Sequence, residues 1–90
     1  MRRFYFHLFN DMTVHDREGT PLPNDAVAMQ RAANSAREMA AQSVREGRLV
    51  LDHRIEVTDE RGECVGIVYF RDVVRVVAHE DPKPREADQP

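Results

Sequence analysis

His7 and His15 are the residues with most chemistry to offer. His7 lies in the aromatic-rich run Arg3 to Phe9 and His15 closes the short segment Thr13-Val14-His15, with Asn10-Asp11-Met12 between them as a turn. A hairpin centred on Asp11 sets Leu8 opposite Val14 and His7 opposite His15. That would bring the two imidazoles within about 5 Å at their β-carbons, close enough to share a metal ion. Zinc takes three or four ligands, so a third would have to come from Cys64, Asp16 or Glu18, and no spacing demands one. Two blander readings stand beside the metal: His7 packs on a neighbour or bonds a backbone carbonyl, or the pair loosens its hairpin when both rings protonate below about pH 6. On balance no metal and no cofactor are expected.

The remaining polar residues point to turns more than to catalysis. Asp16, Glu18, Asp52, Asp59 and Glu60 fall beside turns, where a carboxylate accepts local backbone hydrogen bonds, and no second carboxylate lies at a spacing that defines an acid–base pair. Ser35 and Ser43 have no elbow glycines around them, and phosphate-loop, dinucleotide and paired-cysteine motifs are absent. Cys64 has no activating base beside it in sequence and reads as a half-buried filler. No catalytic residue is expected.

Any site must be positioned by very little protein. Ninety residues make one domain with a thin core, burying about 60–65% of the surface its unfolded chain exposes, so association would help it. The composition is 41% hydrophobic and 32% charged with a formal charge of −3, which argues against a general phosphate-binding surface and against nucleic acid as a partner. A single cysteine cannot form an internal disulfide and fits a reducing compartment, so a cytoplasmic location is expected. The opening FYFHLF is too short and too interrupted for a signal sequence, and no stretch approaches a membrane span.

The most regular stretch is Asn24 to Gly47. Met29, Ala32, Ala33, Ala36, Met39, Ala40, Ser43 and Val44 recur at spacings that make one stripe of a helix, which Asn24 or Asp25 can cap and Gly47 can close. The stripe is mostly alanine, which suits close approach to a flat sheet. Before it, Asp16 to Pro23 carries too many breakers for regular structure and reads as a loop. After it, Arg54 to Thr58 alternates as a half-buried strand. Glu60-Arg61-Gly62 forms a hairpin loop that places Val57 opposite Val65, Ile55 opposite Ile67 and His53 opposite Tyr69. A slip by one would set Val57 against Gly66 and Ile55 against Val68, a poorer match. Val73 to Val77 could continue that strand after a bulge or form a fifth.

The expected fold is therefore two-layer α+β in the order β-β-α-β-β, with one further strand available. It is an antiparallel sheet of four or five strands with a single helix across one face. Residues 1–79 form this one domain, and EDPKPREADQP, residues 80–90, is expected to be an acidic, proline-rich disordered tail.

Three stretches together, RRFYFHLF, DREGTPLPND and GRLVLDHRIEVTDERGECVGIVYF, resemble a family of small uncharacterised bacterial proteins classed as a domain of unknown function. Its members open on an Arg-aromatic-Phe-His-Leu strand and carry an Asp-x-Glu-Gly turn followed by Leu-Pro-Asp before the helix. Asp16, Glu18, Gly19, Leu22, Pro23 and, one place displaced, Asp25 match that pattern. The resemblance spans about residues 3 to 77 and implies no catalytic residue. A looser likeness, to the antitoxin half of some bacterial toxin–antitoxin pairs, implies a regulatory protein that binds another protein or DNA.

If the helix covers Phe4, Phe6, Leu8, Ile55, Val57, Val65 and Ile67, the alternate positions are left over. Tyr5, His7, Phe9, His15, Val68 and Phe70 then make an exposed sheet face, more apolar than a monomer commonly leaves in water. The leading expectation is a small non-enzymatic interaction module, homodimeric through that face or through an edge strand. The antitoxin-like regulator comes second, and a metal protein or enzyme built on His7 and His15 third.

Overall fold

The computed structural model describes residues 1–79, so the expected tail lies outside the described residues. Strands β1 (Arg2–Phe9), β2 (Thr13–Val14) and β3 (Thr20–Leu22) precede helix α1 (Asp25–Arg45). Strands β4 (Arg54–Asp59) and β5 (Cys64–Tyr69) and a single helical turn, α2 (Phe70–Val73), follow. The sheet is antiparallel, five-stranded and ordered β2-β1-β4-β5, with β3 pairing the opening half of β1 on the edge where β2 pairs its end. One main helix packs against it, so the chain has the α+β architecture expected.

Helix α1 begins and ends where its residues dictate. The Asn24 side chain accepts a hydrogen bond from the Val27 amide at 2.9 Å, satisfying one of the free donors of the first turn. At the other end Gly47 takes φ +92°, and the Arg48 and Gly47 amides return to the Ser43 and Val44 carbonyls at 3.0 and 2.9 Å, a paired closure that a left-handed residue permits. Ala28, Ala32, Ala36 and Ala40 are the buried ladder, letting the helix backbone close down on β4 and β5. Val44, expected on the stripe, is 57% exposed because the ladder drifts across the helix in steps of four. Phe4 is fully buried beneath this layer, whereas Phe6 and Leu8 are only half-buried at its margin.

Three expectations are corrected. The first is the β4–β5 register. Beside the loop the pairing is as read: the Asp59 amide donates to the Glu63 carbonyl, Gly62 turns with φ +81°, and Thr58 faces Cys64. Beyond Thr58 a bulge inserts Val65 as an extra residue, so Val57 faces Gly66, Glu56 faces Ile67, Ile55 faces Val68 and Arg54 faces Tyr69. The physical reason lies on the helix side. Gly66 leaves room for Met29, whose Cε lies 2.6 Å from where a β-carbon would stand, and the shift brings Phe70 to 1% exposure. Exchanging Ile67 for Val68 in the core changes little, but burying a phenylalanine is worth about 1.5–3 kcal/mol, enough to carry the bulge.

The second correction is that β3 is a strand within the stretch read as a loop. Pro21 is tolerated because it lies on an outer strand, exposed, with no hydrogen to contribute to a ladder. The third is that Val73 to Val77 adds no strand. The Asp72 carboxylate accepts from the Tyr69 amide at 2.8 Å and turns the chain into α2, so the fifth strand is β3.

Candidate functional site

Cross-strand partners share a face, so the face away from α1 follows from the register. Three rows cross β1, β4 and β5: Tyr5–Thr58–Cys64, His7–Glu56–Ile67 and Phe9–Arg54–Tyr69. His15, just past β2, adds its ring beside the second and third rows. The His7 and His15 ring centres are 5.3 Å apart and inclined at 65°, the Phe9 and His15 centres 6.1 Å apart at 88°, and Tyr5 lies nearly parallel to His7 at 6.5 Å. Two guanidinium groups lie over rings of the third row, Arg54 on Phe9 at 4.3 Å and Arg71 on Tyr69 at 4.6 Å. Arg54 is held there by Glu56, 2.7 Å away.

Of the residues expected on this face, Tyr5, His7, Phe9 and His15 are brought together. Val68 and Phe70 are not: they are core residues, 7% and 1% exposed, because the bulge reverses the faces of β5 past Val65. Ile67, expected in the core, takes their place at 39% exposure, beside Tyr69. The face is consequently more polar than expected, with Arg54, Glu56 and Thr58 running down its centre. Those three were legible as the outward positions of an alternating strand. Ile67 and Tyr69 were not, and the one signal was a glycine inside a strand, which marks a bulge or a close approach.

His7 is fixed by two hydrogen bonds. The Asp16 amide donates to Nδ1 at 3.2 Å, so that nitrogen presents its lone pair and the hydrogen resides on Nε2, which donates to Thr58 Oγ1 at 3.0 Å. Both nitrogens are engaged within the sheet, which makes the ring a packing and positioning element. Among the described residues no group of three or more His, Cys, Asp or Glu is arranged to hold a metal ion.

Asp16 has the clearest task of the turn carboxylates. Between β2 and β3 the edge of β1 is unpaired, and the Asp16 carboxylate fills the gap, accepting from the Phe6 amide at 3.1 Å through Oδ2. Its other oxygen accepts from the Glu18 and Gly19 amides, each at 3.0 Å. Burial works to raise its pKa, but those three amides and nearby His7 outweigh it, and the carboxyl titrates below its ordinary range. Gly19 completes the turn with φ +72°, packed under Arg3 Cγ and Tyr5 Cε2 where no side chain fits. Asp59 does similar work in the second hairpin. It is buried with the Arg2 and Arg61 guanidinium groups at 3.4 Å, and its pKa is also lowered: burial opposes, and the Glu63 and Arg61 amides together with Arg61 prevail. Asp52 pairs with Arg71 at the end of the sheet. The carboxylates serve separate turns and contacts.

Among the described residues no helix is long and apolar enough to cross a membrane. A family model described as a domain of unknown function, DUF6894, matches residues 3–71. No curated protein and no solved structure matches the chain.

Proposed function

The chain belongs to the DUF6894 family, a domain of unknown function, and from that premise we propose a small non-enzymatic interaction module that self-associates and docks a protein partner on its bare sheet face. The observation that carries this reading is the one-sided sheet. A helix covers one face, while the other presents Tyr5, His7, His15 and Phe9 as an ordered group of rings with no second layer over them among the described residues. The bonds to His7 and the stacking of Arg54 hold these rings in place before anything binds, which lowers the entropic cost of docking. Amphipathic rings held in this way suit a protein surface, and the formal charge of −3 disfavours nucleic acid. A reducing, cytoplasmic setting is part of the proposal, supported by the single exposed thiol of Cys64.

A photo-crosslinking residue at exposed position 15, with position 38 on the helix layer as control, tests the face in living cells. A discrete protein adduct from position 15 alone is expected. No adduct, or the same adducts from both positions, would reject it. Light scattering over a wide concentration range tests self-association, with twice the chain mass expected and a monomer throughout opposing it.

A further inference from the structure

The sheet finishes its two edges differently. On the β1 side the backbone is occupied by β2, by β3 and, in the gap between them, by the Asp16 carboxylate, and the outer strand β3 carries Pro21. These devices stop further strands from adding. On the other side β5 pairs only with β4 among the described residues, and its sequence Cys64-Val65-Gly66-Ile67-Val68-Tyr69 holds no proline and no charge. Its most exposed large apolar side chain, Ile67, is in the middle.

Resting on the self-association proposed above, we propose that two copies join antiparallel along β5, across a twofold axis at Ile67 perpendicular to the sheet. A twofold centred on a residue pairs that residue with itself and keeps like faces together. Ile67 then packs on Ile67 of the second copy, Gly66 lies opposite Val68, Val65 opposite Tyr69, and Glu63, just before β5, lies toward the second copy's Arg71 at the start of α2. Charge selects this register over its neighbours. Centring on Gly66 moves Arg71 of the α2 turn toward the hairpin-turn Arg61, two like charges, and centring on Val68 moves Glu63 past Arg71 toward the apolar end of α2. Of these three axes, the one at Ile67 brings a carboxylate and a guanidinium together at both ends, and both side chains are exposed. Both helices fall on one side of the joined sheet. The two faces bearing Tyr5, His7, Phe9 and His15 fall on the other, as one continuous docking surface.

The test combines mass and cross-linking. The wild-type chain is expected to be a dimer and Ile67→Lys a monomer with an unchanged circular dichroism spectrum. In a Cys64→Ser background, Ile67→Cys is expected to form an interchain disulfide on mild oxidation, its paired α-carbons being about 5.5 Å apart. Cys64 of the wild type should not cross-link, because the two copies' residues stand six positions apart along the strands, about 20 Å. A dimer that survives Ile67→Lys, or that cross-links through Cys64 and not through position 67, overturns the β5 interface while leaving self-association standing. A wild-type monomer at every concentration overturns both.

Discussion

Replacing Asp16 with alanine removes three charge-assisted hydrogen bonds at once, from the Phe6, Glu18 and Gly19 amides at 3.1, 3.0 and 3.0 Å. Each such bond is worth about 1.5–3 kcal/mol, but they share one carboxylate and do not add. The exposed Glu18 amide recovers a water, whereas the Phe6 amide is left in the gap between β2 and β3 without its partner. A net loss of about 2–4 kcal/mol follows, which for a domain of this size lowers the melting temperature by roughly 10–25 °C. Asp16→Asn keeps one acceptor oxygen but turns an NH2 group toward amide donors, so about half that loss is expected. The folded-state pKa of Asp16 is lowered, so the unfolded chain binds the proton more readily and stability falls as pH falls. Asp16's contribution is therefore whole above the unfolded value of about 3.9 and disappears as pH drops through the lower folded value. Thermal or urea unfolding of wild type and Asp16→Ala from pH 7 to pH 3 measures the difference, and the titration of Asp59, common to both proteins, cancels. An Asp16→Ala chain within about 0.5 kcal/mol of wild type at pH 7, or a difference that does not narrow on acidification, would refute the bridging role.

Two further perturbations separate conformational from packing effects. Gly19 and Gly62 both have positive φ, +72° and +81°, but a β-carbon at Gly19 would lie 2.7 Å from Arg3 Cγ, 2.8 Å from Tyr5 Cε2 and 3.0 Å from the Phe4 carbonyl oxygen, while Gly62 has nothing within 4 Å. Gly62→Ala should cost about 1 kcal/mol and Gly19→Ala about 2–4 kcal/mol, and equal losses on urea unfolding would show that the crowding is immaterial. Gly66→Val should displace Met29 and cost about 1–3 kcal/mol. In a double-mutant cycle with Met29→Ala, the pair should cost about 1 kcal/mol less than the sum of the singles, and strict additivity would contradict their contact.

The sequence carried most of the fold because its strongest signals are local. The spacing of Ala32, Ala36 and Ala40, the cap at Asn24 and the glycine at 47 define α1 without reference to anything else. The alternation of Ile55 and Val57 defines β4, and Asp59 to Glu63 define the turn after it. Four of the six residues expected on the face were legible for the same reason, since Tyr5, His7 and Phe9 alternate with Phe4, Phe6 and Leu8 on one uninterrupted strand and the turn after Phe9 folds His15 back beside them. What was not legible depended on contacts distant in sequence. The bulge at Val65 is favoured by Met29 filling the space over Gly66 and by the burial of Phe70, and only packing against α1 reveals either. A single inserted residue then exchanges Val68 and Phe70 for Ile67 and Tyr69 on the bare face. The strand at Thr20–Leu22 was hidden by Pro21, a residue that excludes a central strand but not an outer one.

The stretch from Asp16 to Pro23, which carries part of the family resemblance, is accounted for by folding. Asp16 ties the edge of β1, Gly19 supplies a conformation and a space that no side chain could share, Leu22 packs on the core from β3, and Pro23 leads into the cap at Asn24. Each is needed because β1 must be flanked on one edge by two short strands with a gap between them, and a carboxylate reaching three amides closes that gap without adding sequence. This stretch fixes where β1 lies and leaves one of its faces bare. The proposed docking face is made by the outward residues of β1, β4 and β5. In the proposed dimer, position 67 decides between a closed face and an extended one, because it belongs both to the bare face and to the β5 edge, whose residues include no proline and no charge.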